Sequence, residues 1–137
     1  MFPLNTRILI ADDMKSITDL LKMHLKELGF ENIQVATDGA KTIEILNRGA
    51  NTRQPIELII CDWNMPIKTG LEILQFIRSN DTYKKCPFIM VTSESEREQV
   101  AQAVLEGVSH YIVKPFTGKV IKERLTSVYA ARTPDKN

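Results

Sequence analysis

Residues 58–66 read Leu58-Ile59-Ile60-Cys61-Asp62-Trp63-Asn64-Met65-Pro66. Four consecutive apolar residues with no helical spacing, closed by an acidic residue and a proline, predict a strand buried on both faces. Two further runs have the same character: Ile8-Leu9-Ile10-Ala11, followed by Asp12-Asp13, and Phe88-Ile89-Met90-Val91, followed by Thr92. The runs Ile33-Gln34-Val35-Ala36 and Tyr111-Ile112-Val113 are shorter or partly polar and read as edge strands.

Amphipathic segments fill the intervals. Ile17, Leu20, Leu21, Leu25 and Leu28 recur at helical spacing, and Gly29 stops that helix. A second helix is predicted from about Ala40 to Asn47, capped by Asp38, with Gly49 beyond its end. A third spans Gly70 to Asn80 with Leu71, Leu74 and Ile77 inward. A fourth starts at a capping box, Ser95 to Glu98, and runs through Val100, Ala103 and Val104 to Gly107. The last covers Lys119 to Ala131, and Arg132 to Asn137 reads as a flexible polar tail. Five strand-helix units in this order predict an α/β fold: a doubly wound five-stranded parallel sheet with helices on both faces. Central apolar strands and mixed edges favour the flavodoxin-like order 2-1-3-4-5.

Bulk properties narrow the function classes. At 137 residues the chain fits one domain, with 43% hydrophobic residues for its core. Lys and Arg number 18 against 17 Asp and Glu, a net charge of +1 that argues against nucleic acid or a membrane surface as a bulk electrostatic partner. Apolar runs of four residues are far short of a membrane span, and Arg7 with Asp12-Asp13 interrupts any signal-peptide pattern. Cys61 and Cys86 make no disulfide framework and read as reduced thiols, so a cytoplasmic location is expected.

The decisive pattern lies just past the end of each strand. Asp12 and Asp13 come after the first, Asp62 after the third, Thr92 after the fourth and Lys114 after the fifth. Carboxyl ends of neighbouring parallel strands line one crevice, where ligands bind. Singly, each residue reads as a turn, a cap or a solvated charge; together they bring three carboxylates, a hydroxyl and an ammonium to one rim. Clustered carboxylates repel one another, and a hard divalent cation such as Mg²⁺ relieves that repulsion. One carboxylate is then left as a nucleophile towards phosphorus. Lys114 and Mg²⁺ would neutralise phosphoryl oxygens, and Thr92 would donate to one of them.

These residues resemble the receiver domain of bacterial response regulators, and within it the stand-alone chemotaxis type. The resemblance covers roughly residues 6–131 and rests on Asp12-Asp13, Asp62-Trp63-Asn64-Met65-Pro66, Met90-Val91-Thr92 and Tyr111-Ile112-Val113-Lys114-Pro115-Phe116, together with Leu25-Lys26-Glu27-Leu28-Gly29-Phe30. It implies a two-component phosphorelay protein that is not a classical enzyme but assists its own phosphorylation and dephosphorylation. Asp62 would accept the phosphoryl group from a histidine kinase. Asp13 and Asp62 would bind Mg²⁺ directly, Asn64 through its backbone carbonyl, and Asp12 through water. Lys114 would bind a phosphoryl oxygen, with a cis bond to Pro115. Asn64 and Glu94 would tune dephosphorylation towards a short-lived signal.

The same resemblance makes Thr92 and Tyr111 a switch acting on the face of the fourth helix, fifth strand and fifth helix. A downstream protein would dock there, and a phosphatase is a further partner the family admits. Ala103, Lys119 and Lys122 belong to that expected face. Trp63 is expected to be partly exposed beside the pocket, and His24 and His110 to lie at the surface. Thr69 stands where the chemotaxis proteins have an acidic residue, and Met14-Lys15 occupy a loop that varies in the family. Three alternatives are a stand-alone receiver that only relays phosphate, a Mg²⁺-dependent aspartyl-phosphate phosphohydrolase and a flavin-binding protein. Asp12-Asp13 lacks the DxD spacing of the phosphohydrolases, and acidic residues after the first strand would repel a flavin phosphate.

Overall fold

The computed structural model describes residues 1–93 and 97–132. The expected capping box at Ser95, the tuning residue Glu94 and the tail beyond Arg132 lie outside the described residues. The elements alternate: β1 (Ile8–Ala11), α1 (Lys15–Glu27), β2 (Ile33–Ala36), α2 (Gly39–Asn51), β3 (Leu58–Asp62), α3 (Gly70–Ser79), β4 (Phe88–Ser93), α4 (Arg97–Leu105), β5 (His110–Lys114) and α5 (Gly118–Ala131). All strands are parallel in the order β2-β1-β3-β4-β5. The edges are therefore the two mixed runs, as their polarity implies.

Each central strand feeds two cores, because successive side chains point to opposite faces of the sheet. Leu9, Ala11, Ile59, Cys61, Phe88 and Met90 face one layer, packed with Leu46 of α2 and Ile73, Leu74 and Ile77 of α3. Ile8, Ile10, Leu58, Ile60, Ile89, Val91 and Ile112 face the other, with Leu21 and Leu25 of α1 and Ile121, Leu125 and Val128 of α5. The second layer extends to Phe2, whose ring meets Tyr129 edge-on at 5.0 Å. Among the described residues, no helix is long and apolar enough to cross a membrane.

Several local readings need correction. α2 continues to Asn51, so Gly49 lies inside it. A Cβ there would sit 2.9 Å from the Gln54 carbonyl oxygen and 3.1 Å from the Tyr83 hydroxyl, so this glycine serves packing and not termination. Asp38 does cap α2, accepting from the Lys41 N–H at 2.8 Å. The inward stripe of α3 is Gly70, Ile73, Leu74 and Ile77, with Leu71 only partly buried. Its start is fixed by an overlooked capping box, in which Thr69 and Glu72 bond reciprocally. In α4, Ala103 is buried, not part of an output face, while Val104 and Leu105 are 60% and 86% exposed. His24 and His110 are half-buried, since His24 stacks edge-on to Phe116 and Nδ1 of His110 accepts the Tyr111 N–H at 2.8 Å.

Tyr83 ties α2 to the chain entering β3. Its hydroxyl donates to the Leu46 carbonyl at 2.6 Å and accepts from the buried Ile56 N–H at 3.3 Å. Tyr83→Phe leaves that N–H without a partner, and a loss of about 1–3 kcal/mol is expected, read as a lower urea midpoint at unchanged m-value.

Candidate functional site

The strands align their ends so that the polar residues meet. In register, Ala11 pairs with Cys61, Asp62 with Val91, Thr92 with Val113 and Ser93 with Lys114. β3 and β4 run past their apolar stretches, so Asp62 and Thr92 are the last or nearly last strand residues and inherit fixed backbone positions. Asp12 is 1% exposed and Asp62 6%, whereas Asp13 is exposed. The difference arises locally: Oδ1 of Asp12 accepts the Met14 N–H at 2.9 Å in an Asx-type turn that folds Asp12 inward.

Lys114 bridges the two buried carboxylates. Its Nζ donates to Oδ1 of Asp62 at 3.2 Å and to Oδ2 of Asp12 at 3.3 Å. Asp12, Asp13 and Asp62 each offer a carboxylate oxygen, all within 4.8 Å of one another. An all-oxygen donor set of this kind suits a hard divalent cation. Burial, followed by the charge of Asp12, raises the Asp62 carboxyl to about 6 in spite of Lys114. Burial also raises Asp12. Burial pulls the Lys114 ammonium down, but the two carboxylates outweigh it and its net shift is upward. One ammonium thus faces three carboxylates, and the remaining charge imbalance shows in the raised affinity of Asp62 for a proton. A bound cation would remove it.

Thr92 is buried beside this rim, its hydroxyl donating to the Ser93 carbonyl at 3.4 Å. Tyr111 is half-buried on β5, and its ring lies 5.6 Å from that of His110. Its carbonyl accepts from Nε of Arg124 at 3.1 Å, a contact from α5 that no sequence spacing announces. Asn64 is exposed two residues beyond Asp62. Trp63 is 7% exposed and belongs to the core layer of α2 and α3, contrary to the partial exposure expected of it. Its N–H continues the sheet by donating to the Val91 carbonyl at 3.1 Å, and the strand alternation turns its ring inward. The Lys114–Pro115 bond is cis. Cys61, next to Asp62, is fully buried, and burial raises its thiol well above the ordinary range, which leaves it an inert core residue.

Gly70 is the residue that sequence reading overlooked as part of the site. A Cβ there would collide with the Asp62 carbonyl and lie 2.9 Å from Cα of Trp63. Its N–H donates to the Trp63 carbonyl at 2.8 Å. Close passage of α3 under the acceptor strand therefore requires glycine.

Comparisons with known proteins agree with this geometry. A family model, the response regulator receiver domain, matches residues 8–126. The chain is 38% identical over 125 residues to chemotaxis protein CheY-3 of Vibrio cholerae, covering 91% of this chain and 92% of that protein. It is 37% identical over 123 residues to chemotaxis protein CheY of Pseudomonas aeruginosa, covering 90% and 95%. The solved structure of the chemotaxis response regulator CheY4 of Vibrio cholerae superposes with a TM-score of 0.77 at 29% identity, covering 90% of this chain and 98% of that one. With its strand order, its rim of acidic residues and these matches, the chain belongs to the response regulator receiver domain family, in the company of the CheY proteins.

Proposed function

We propose that this receiver domain accepts a phosphoryl group on Asp62 from a phosphohistidine of a histidine kinase and passes the signal on by altering a protein-binding surface, in chemotaxis or motility signalling. The observation that carries this reading is the placement of Asp62 itself: a buried strand-end carboxylate 3.2 Å from Lys114 and clustered with Asp12 and Asp13. An ionised Asp62 oxygen attacks phosphorus, the P–N bond of the donor breaks, and its electron pair leaves with the imidazole. Lys114 is placed to meet a phosphoryl oxygen as it exchanges its carboxylate partners. When bound, Mg²⁺ would neutralise charge on the carboxylates and on the transferred group. Asp13 and Asp62 would hold it directly, Asp12 through water and Asn64 through its carbonyl.

Downstream, the Thr92 hydroxyl exchanges its weak bond to Ser93 for one to the phosphoryl group, and the half-buried Tyr111 ring follows into the space released. This biases α4, β5 and α5 towards a second arrangement. The exposed Val104 and Leu105 and the lysines Lys119 and Lys122 supply apolar and basic contacts for a protein target there. Asn64, beside the acceptor, would tune hydrolysis. The matches to chemotaxis proteins over nine-tenths of their length support the chemotaxis setting.

The reading is tested by incubating the protein with acetyl phosphate and Mg²⁺ and weighing it intact. One added phosphoryl group, dependent on Mg²⁺, is expected. A second expectation concerns Lys114→Ala. Removing a positive charge in contact with the metal-binding carboxylates favours a divalent cation by a few kcal/mol. The same change strengthens proton competition at Asp62, so a net tightening of roughly tenfold in Mg²⁺ affinity is expected by calorimetric titration at pH 7.

A further inference from the structure

The end of the sheet where the strands begin carries the opposite charge. Arg78, Lys84, Lys85 and Arg132 line one concavity of about 260 Å³, together with Pro87 and Ser109. The ion pairs among the described residues involve other side chains, so none of these four cations is matched by a carboxylate among the described residues. In a chain of net charge +1 this is a marked local excess. Helix ends explain only part of it. α3 and α5 both terminate here, and each C-terminus presents about half a negative charge, so the two offset roughly one of the four cations. Lys84 and Lys85 belong to the turn before β4, outside both helices.

Two of the cations are pre-positioned. Nε of Arg78 donates to the Gly107 carbonyl at 2.9 Å and Nη1 to the Cys86 carbonyl at 2.7 Å. Those partners engage Nε and Nη1 without cancelling the charge, and burial lowers the pKa of the group. The guanidinium carbon of Arg132 lies over the Tyr129 ring, 4.0 Å from its centroid, a cation–π contact that holds the charge beside the concavity. Ser109 adds a directional donor. Its Oγ accepts the Phe88 N–H at 3.0 Å and faces Nη2 of Arg78 at 3.5 Å, while its own proton has no acceptor among the described residues.

We propose that this concavity is a binding site for a small oligophosphate, gripped by Lys84, Lys85, Arg132 and the Ser109 hydroxyl over the fixed charge of Arg78. Planar guanidinium and flexible ammonium groups together match the dispersed acceptors of linked phosphoryl groups. A volume of about 260 Å³ admits two or three such groups. The site lies at the opposite end of the strands from Asp62 and is independent of the phosphoryl chemistry there.

The test is calorimetric titration of the full chain with inorganic pyrophosphate at low ionic strength, without divalent cations, beside amide shift mapping. Saturable one-to-one binding is expected, with shifts centred on Lys84, Ser109 and Arg132. Lys84→Ala/Lys85→Ala should weaken it at least tenfold and Arg132→Ala severalfold. These side chains lie at or near the surface, so the variants should fold, as matched thermal melts would verify. Lys26→Ala/Lys41→Ala removes the same charge elsewhere and should change affinity less than twofold. No binding at millimolar pyrophosphate, equal weakening by the control pair, or shifts centred on the Asp62 end would each overturn the proposal.

Discussion

Asp62→Asn is expected to stabilise the metal-free protein at pH 7 by roughly 2–3 kcal/mol while ending its reaction with phosphodonors. The two effects have one cause. Asp62 ionises near 3.8 in the unfolded chain and near 6 in the fold, because burial and Asp12 penalise its charge. Below pH 3.8 both states hold the proton and the penalty is absent. Between the two values the folded state binds more protons than the unfolded one, so this group's contribution to stability falls as pH rises. Above about 6 the penalty is complete. The amide introduced by Asp62→Asn carries no such charge, and Lys114 keeps its contact with Asp12. Calorimetric scans from pH 4 to 7.5 should therefore show the wild-type midpoint dropping relative to the variant. Mg²⁺ should restore the wild type more than Asp62→Asn. Parallel curves for the two proteins would show that Asp62 is not held in a penalised state.

The second large effect is at Gly70. Alanine there must displace backbone, since its Cβ would collide with the Asp62 carbonyl and lie 2.9 Å from Cα of Trp63. Overpacking against backbone typically costs 1–3 kcal/mol and sometimes more, and here the upper end, about 3 kcal/mol, is expected. Gly118→Ala makes a useful comparison. Its Cβ would meet only the His24 ring, at 2.8 Å from Nδ1, and a half-buried side chain can swing aside. Its cost should stay below about 1 kcal/mol. Urea melts of the two variants separate the cases. Because β3 must move in Gly70→Ala, its phosphorylation rate should also fall, whereas Gly118→Ala should keep it.

The fold was legible where one physical rule dominated. Three uniformly apolar runs marked central strands and two mixed runs marked edges, and the order β2-β1-β3-β4-β5 follows from that difference. Asp12, Asp62 and Lys114 were legible because a parallel sheet brings the residues at its strand ends to one rim however far apart they lie in sequence. Less legible were features decided by neighbours distant in sequence. Trp63 is buried because the sheet's alternation continues one residue past the acceptor. Gly49 lies within α2 as a packing residue, since Gln54 and Tyr83 leave little room for a Cβ there. Val104 looked inward by spacing, yet only Ala103 of that pair faces the core. Arg124 reaches the Tyr111 carbonyl across elements, with no motif to signal it. Gly70 and the capping box of Thr69 and Glu72 were readable as local chemistry, but only the structure shows that they hold α3 against the acceptor strand.

The central claim is that Asp62 is the residue that takes phosphate, and it is tested most directly by locating the adduct. The protein is incubated with acetyl phosphate and Mg²⁺, reduced with borohydride so that an aspartyl phosphate becomes homoserine, and digested for peptide mass analysis. Homoserine at position 62, absent when Mg²⁺ is withheld, is the predicted result. A phosphorylated protein with Asp62 intact and the label at Asp12, Asp13 or a histidine would contradict the account.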